Sequence, residues 1–212
     1  MNRLPSWVRQ HIVGLRVLLM FTVICGIVYP LVMTGIAQVA FHNQADGSLV
    51  SVHGKVVGSS LLCQEFVDAK GNPLPQYFQS RPSSATQPGV KTDPGCNGEY
   101  SSASNLGPTN PVLVQAIKQR QKQIEAFDHV KISQIPPDAV TTSGSGMDPG
   151  ISPANAAIQV DRVAAARHVS PADVTALVKQ YTHGRVLGFL GQPYVNVLDL
   201  NLALDQKYPV SG

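Results

Sequence analysis

Residues 17–45 contain no Asp, Glu, Lys or Arg, and most of them are strongly apolar. No other feature constrains this chain as strongly. A helix rises about 1.5 Å per residue, so residues 17–41 would extend roughly 37 Å, against a bilayer core of about 30 Å. The run is long enough to cross a membrane with some tilt. No second apolar stretch of comparable length follows, so one crossing is expected. Arg3, Arg9 and Arg16 precede the run without a single acid. The chain holds 16 Lys+Arg and 13 Asp+Glu, so its whole formal charge of +3 sits on this leader. Basic residues beside a span stay on the cytoplasmic side. The pattern predicts a cytoplasmic basic leader at 1–16, a transmembrane helix at 17–41 and a periplasmic domain at 42–212.

A cleaved signal peptide is the competing reading. The apolar run is longer than the ~7–15 residues of a signal core, and Ala37-Gln38-Val39-Ala40 has the wrong spacing for cleavage. An uncleaved anchor is expected. Gly26, Tyr29, Pro30 and Gly35 lie inside it and are the candidate packing positions. Proline removes a backbone donor and kinks a helix, and small residues let a neighbouring helix approach. An ordinary kinked anchor and a helix packed on a larger membrane partner both fit.

The remainder is long enough for one domain with its own core. Its balanced charge argues against a nucleic-acid-binding stripe or an anionic lipid platform. Cys25 lies in the span. Cys63 and Cys96 would face an oxidising compartment, where a disulfide is possible, although spacing favours neither partner and two free thiols are the preferred reading.

Up to Pro111 the domain is rich in Gly, Pro, Ser and Asn. Lys55-Val56-Val57 and Gln76-Tyr77-Phe78-Gln79 read as short strands between turn signals, and residues 80–111 as a long ordered loop. Helices dominate afterwards. Asn110-Pro111 opens one that ends near Phe127, with Leu113, Ile117 and Ile124 on one face. Residues 135–152 read as a second loop. Ser152-Pro153 opens a helix to about Arg167, with Ala157, Val160 and Ala164 inward. Ser170 and Asp173 form a capping box before Val174, Leu177, Val178 and Tyr181, and Gly184 is a plausible stop. Tyr194-Val195 is too short to assign firmly as strand. Asn196 would cap a last helix carrying Leu200 and Leu204. The fold class expected is α+β: one transmembrane helix, then a single helix-rich extracytoplasmic α/β domain with long ordered loops.

Motifs for catalysis are missing from the sequence. It has no G-x-x-x-x-G-K-[ST], H-E-x-x-H, G-x-S-x-G or C-x-x-C. His11, His42, His53, His129, His168 and His183 show no ligand spacing, so no metal site is expected. The glycine-spaced run 184–191 reads as turn punctuation. The helix pair within 153–179 reads as a core-filling α-hairpin, because its charges are mixed.

One ordered set of segments carries identity. It comprises Tyr29-Pro30-Leu31, Gly58-Ser59-Ser60-Leu61-Leu62 with Gln64 and Phe66, and Tyr77-Phe78-Gln79-Ser80-Arg81-Pro82-Ser83. It continues with Ser104-Asn105-Leu106-Gly107-Pro108-Thr109-Asn110-Pro111, Ser143-Gly144-Ser145-Gly146-Met147-Asp148 and Ile151-Ser152-Pro153-Ala154-Asn155-Ala156-Ala157. Arg162-Val163-Ala164-Ala165-Ala166-Arg167 and Val195-Asn196-Val197-Leu198-Asp199-Leu200-Asn201-Leu202-Ala203-Leu204 complete it. Together these resemble the KdpC family, the small single-span subunits of bacterial Kdp potassium-transporting P-type ATPases. Met147 stands where the family often has Leu, Gly150 where it often has His or Asn, and Cys63 where Gly is usual.

The resemblance implies an accessory, non-catalytic subunit of a high-affinity potassium uptake complex in the bacterial inner membrane. Its partners would be a channel-like potassium-binding subunit, a P-type ATPase subunit and a small stabilising peptide, besides membrane lipid. ATP, magnesium and potassium would be used by the assembled complex, with no cofactor assigned to this chain. The subunit would serve assembly and act as a catalytic chaperone that raises ATP affinity. This chain lacks the D-K-T-G phosphorylation motif, so it is not expected to be the phosphorylated subunit. With the domain outside, any effect on ATP affinity should be indirect. The polar loops holding Asn105, Leu106, Gly107 and Pro108, and Ser145, Gly146, Met147 and Asp148, are candidate partner contacts. The reading without the family is a membrane-anchored periplasmic binding module.

Overall fold

The computed structural model describes residues 5–90 and 93–210. Arg3 of the basic leader lies outside them. The chain forms two compact units, residues 1–49 and 50–212.

The first unit is one long apolar helix and a short coda. Helix α1 (Ser6–Val23) runs through a π-helical turn (Ile24–Val28) into α2 (Tyr29–Ala40). The helix therefore starts inside the basic leader, eleven residues before the apolar run expected to form it, because nothing between Ser6 and Arg16 breaks it. Pro30 has no N–H for the carbonyl of Gly26, and its ring crowds that carbonyl. A widened π-turn just before it accommodates both problems. Residues 6–40 are helical throughout, and none of the most hydropathic 18 residues among them is buried within the chain. Helix α3 (His42–Ala45) follows.

In the second unit β1 (Leu49–Val52) pairs with β2 (Lys55–Ser59) through His53 and Gly54, both at positive φ, as a tight hairpin turn requires. β2 is the strand expected at Lys55-Val56-Val57. Residues 80–110 are irregular, as expected, wherever described. Helix α4 (Pro111–Asp128) is capped by Asn110, whose side chain accepts from the Val112 N–H at 2.9 Å. It ends on His129 in the left-handed conformation.

The expected loop at 135–152 is more ordered than its sequence suggests. It contains α5 (Pro137–Val140) and β3 (Gly150–Ile151). Asp138 on α5 binds the Ser152 N–H and hydroxyl, both at 2.8 Å, and so ties α5 to the start of α6 (Pro153–Ala166). Helix α7 (Pro171–Gln180) follows, with the Asp173 N–H donating to the Ser170 hydroxyl. It stops before Gly184 because Thr182 and His183 leave as β4 (Thr182–His183) to pair with β5 (Tyr194–Asn196). Tyr194-Val195, too short to assign from sequence, is the centre of an antiparallel sheet ordered β3-β5-β4. Asn196 caps α8 (Val197–Lys207) through the Asp199 N–H.

The α6–α7 pair is the expected α-hairpin, and it packs with α8 and β5 around Phe78, Ile151, Val163, Val174, Val195, Leu200 and Leu204. The buried face of α6 is Asn155, Ala156, Gln159, Val160, Arg162, Val163 and Ala164, and Ala157 is exposed, against expectation. Three polar residues lie on the inward face, so an apolar-only reading sets the face one residue off. The domain is α+β, as expected.

Candidate functional site

Gln76-Tyr77-Phe78-Gln79 is not a strand, although its pattern resembles one. Its backbone is held by side-chain amides. Asn201 accepts from the Phe78 N–H and donates to the Phe78 carbonyl, both at 2.9 Å. Gln159 does the same for Gln79, at 2.7 and 3.2 Å. Two amides thus stand in for a neighbouring strand. Arginines complete the clamp. Arg162 donates to the carbonyls of Pro75 and Tyr77 and to Asp128 at 2.7 Å, with both ionic side chains 5% exposed. Arg167 donates to Gln76 O, Tyr208 O and Asp205, and its guanidinium sits over the Tyr77 ring. Burial raises the Asp128 carboxyl above its ordinary range and lowers Arg162, and their mutual attraction opposes both shifts. This network carries no reactive geometry; it makes segment 75–79 rigid.

Beside the clamp lies a cleft of about 490 Å³, walled by Ile124 and Phe127 of α4, Ile158 of α6, Arg81, Arg120 and Glu65. Burial pushes the Glu65 carboxyl up to about 7. Its Oε1 lies 3.5 Å from the Cys96 sulfur. Cys63 and Cys96 are joined in a disulfide with Cα atoms 5.4 Å apart, which corrects the preference for two free thiols. Long-range folding, not sequence spacing, brings these cysteines into reach. Cys25 is free.

The two candidate loops differ in kind. Ser145, Gly146, Met147 and Asp148 form a latch against the rest of the domain. Ser145 O accepts from Ser102 N, Gly146 O from the Ser83 hydroxyl, and Met147 O from Cys63 N. Gly146 has φ +73°, and a Cβ there would sit 2.5 Å from Ser102 O. Asp148 pairs with Arg81 at 3.0 Å and accepts from Gly150 N. Asn105, Gly107 and Pro108 are exposed and Leu106 is half-buried; Asn105 stands at φ +50°. Gly150 leaves room for the Tyr194 ring, which a Cβ would meet at 2.8 Å.

In the apolar helix Tyr29 is 61% exposed, and a Cβ on Gly26 or Gly35 would meet nothing within 4 Å. Among the described residues, no group of three or more His, Cys, Asp or Glu could hold a metal ion. Sequence reading missed the arginine and amide clamp. The signal available was three long polar side chains, Gln159, Arg162 and Arg167, spaced three and five residues apart on an otherwise Ala- and Val-rich helix.

The family described as "KdpC: K+-transporting ATPase, c chain" matches residues 11–206. A potassium-transporting ATPase KdpC subunit from Sorangium cellulosum is 52% identical over 192 residues, covering 91% of this chain and 95% of that one. The subunit of the same name from Dechloromonas aromatica is 52% identical over 193 residues, covering 91% and 94%. That from Caulobacter vibrioides is 49% identical over 191 residues, covering 90% and 89%. Similarity on this scale spans the apolar helix, the clamp and the latch together, and the chain belongs to the KdpC family of K+-transporting ATPase subunits.

Proposed function

We propose that this chain is the accessory subunit of an ATP-driven potassium uptake complex in the bacterial inner membrane. It assembles with a channel-like potassium-binding subunit, a P-type ATPase subunit and a small stabilising peptide. It crosses the membrane once, with its leader in the cytoplasm and its domain in the periplasm. The carrying observation is the family match across residues 11–206, combined with a single apolar helix ahead of one domain.

The chain raises the ATPase subunit's affinity for ATP indirectly. The basic leader at residues 1–16 faces the nucleotide under this topology, and it holds no phosphate-binding loop. A subunit that binds one pump conformation more tightly shifts the equilibrium by its differential affinity. Gly26, Tyr29, Pro30 and Gly35 supply a face for partner helices. Asn105, Leu106, Gly107 and Pro108 supply a contact in the periplasm. Ser145, Gly146, Met147 and Asp148 contribute by holding the neighbouring surface in shape.

The complex purified with and without this chain, assayed for ATP hydrolysis against ATP concentration, tests the reading. A higher KM for ATP without the chain, with ATP failing to protect the isolated chain in thermal unfolding, is the expected result. A direct ATP-dependent shift of the isolated chain would overturn indirect coupling. A reporter active only in the cytoplasm, fused after Gly212, should be silent; an active one would overturn the orientation.

A further inference from the structure

The glycine-spaced run 184–191 is an apolar tip. Val186, Leu187, Phe189 and Leu190 are 66%, 79%, 68% and 49% exposed. The tip is ordered, because Val186 and Leu190 exchange both backbone hydrogen bonds at 2.9 Å. Leu187 and Gly188, at φ +54° and +82°, turn the chain between them. At its base the His183 and Tyr194 rings stack across β4 and β5, with centroids 4.8 Å apart. Gly188 N and Phe189 N donate to Arg185 O and Val186 O within the same turn. With the N–H groups of Val186, Gly188, Phe189 and Leu190 met inside the turn, the cost of taking it out of water is reduced.

We infer that this tip inserts into the bilayer interface as a second membrane contact of the domain. The inference rests on the single-span reading of the apolar helix. Three observations choose lipid over a protein groove. The apolar helix ends at Ala40 and β1 opens at Leu49, so residues 41–48 are the whole tether. At no more than ~3.6 Å per residue they reach at most roughly 29 Å, which limits how far the domain can stand off the membrane. Arg185 is the only charged residue from 180 to 198, and its sign suits lipid phosphates. The contact surface is apolar side chains beside one base and an aromatic pair, the composition of an interfacial insertion, with no acid to pair a partner's bases.

The test uses the full chain reconstituted in phosphatidylglycerol–phosphatidylcholine vesicles, in a Trp7→Phe background that leaves no other tryptophan. Phe189→Trp reports the tip, and Phe21→Trp reports the span. The expected result is a blue-shifted Phe189→Trp emission that loses intensity when brominated lipids replace the ordinary ones. Arg185→Glu should reduce that loss. A quenched Phe21→Trp with a Phe189→Trp emission typical of water overturns the tip insertion alone. An unquenched Phe21→Trp overturns the single-span reading and the inference with it. A blue shift seen only in the assembled complex, without bromolipid quenching, overturns insertion and assigns the tip to a partner subunit.

Discussion

Asn201 is fully buried, and its amide serves both backbone groups of Phe78. Asn201→Asp keeps the shape and the acceptor but replaces the donor by a carboxyl. To keep donating to the Phe78 carbonyl, that carboxyl must stay protonated. Its folded pKa is then raised above the unfolded value of about 3.9. The folded state binds more protons, so stability is intact below about pH 4 and is lost as pH rises toward the folded pKa. Each pH unit costs about 1.4 kcal/mol, so the gap to wild type reaches about 4 kcal/mol near pH 7. Asn201→Ala leaves the Phe78 N–H and carbonyl both unpaired, at about 1–3 kcal/mol each and with no pH dependence.

Thermal unfolding of the full chain in detergent, followed by far-UV circular dichroism from about pH 4 to pH 8, separates the two variants. At this chain length about 4 kcal/mol lowers Tm by roughly 8–16 °C. Asn201→Asp should approach wild type at low pH and fall away above it, while Asn201→Ala should stay low throughout. An Asn201→Asp gap of constant size across that range, or none near pH 7, would refute the amide clamp as the support of segment 75–79.

Other outcomes follow from the same structure. Replacing Cys63 and Cys96 by Ser opens a loop closed across 33 residues and should cost about 3–4 kcal/mol, matched by reductant on wild type and not on the variant. Glu65 holds its proton up to about pH 7, so wild-type stability should decline by about 3 kcal/mol as pH rises from about 4.5 to about 7; in Glu65→Gln that decline should disappear. A Cβ at Gly26 or Gly35 meets nothing within 4 Å, so Gly26→Leu with Gly35→Leu should leave Tm unchanged. The same pair should reduce recovery of the complex in mild detergent, and undiminished co-purification would make the span a plain anchor.

What was legible in the sequence was local. Asn110, Ser152, Ser170 and Asn196 each cap the helix their position announced, because an N-cap acts over two or three residues. What escaped was made by residues far apart. Tyr77-Phe78-Gln79 alternates like a strand, but the partners of Gln79 and Phe78 lie 80 and 123 residues on, in side chains that no period describes. Arg162 and Arg167 counted only among the mixed charges of the helix pair, yet backbone carbonyls and two acids take their N–H groups. The β5 strand was too short to stand alone and exists because β3 and β4 flank it. The candidate loops shared a composition, and only packing separates the latch at 145–148 from the exposed turn at 105–108.

The non-local part also bears on coupling. Raising ATP affinity tenfold across the membrane needs only about 1.4 kcal/mol of differential binding between pump conformations. A pliable domain would follow the pump and bind both conformations alike, which gives no shift. Segment 75–79 cannot follow easily: moving it breaks the Asn201 and Gln159 amide pairs and the bonds from two buried arginines. Removing one side of a buried ion pair alone costs about 3–5 kcal/mol. That exceeds the coupling the proposed function needs, so under that proposal the domain fits one conformation or separates from it. Under the proposed function, rigidity far from any nucleotide is therefore what lets a subunit without catalytic residues alter nucleotide affinity. Asn201→Ala in the assembled complex should weaken the effect on KM for ATP before it weakens assembly.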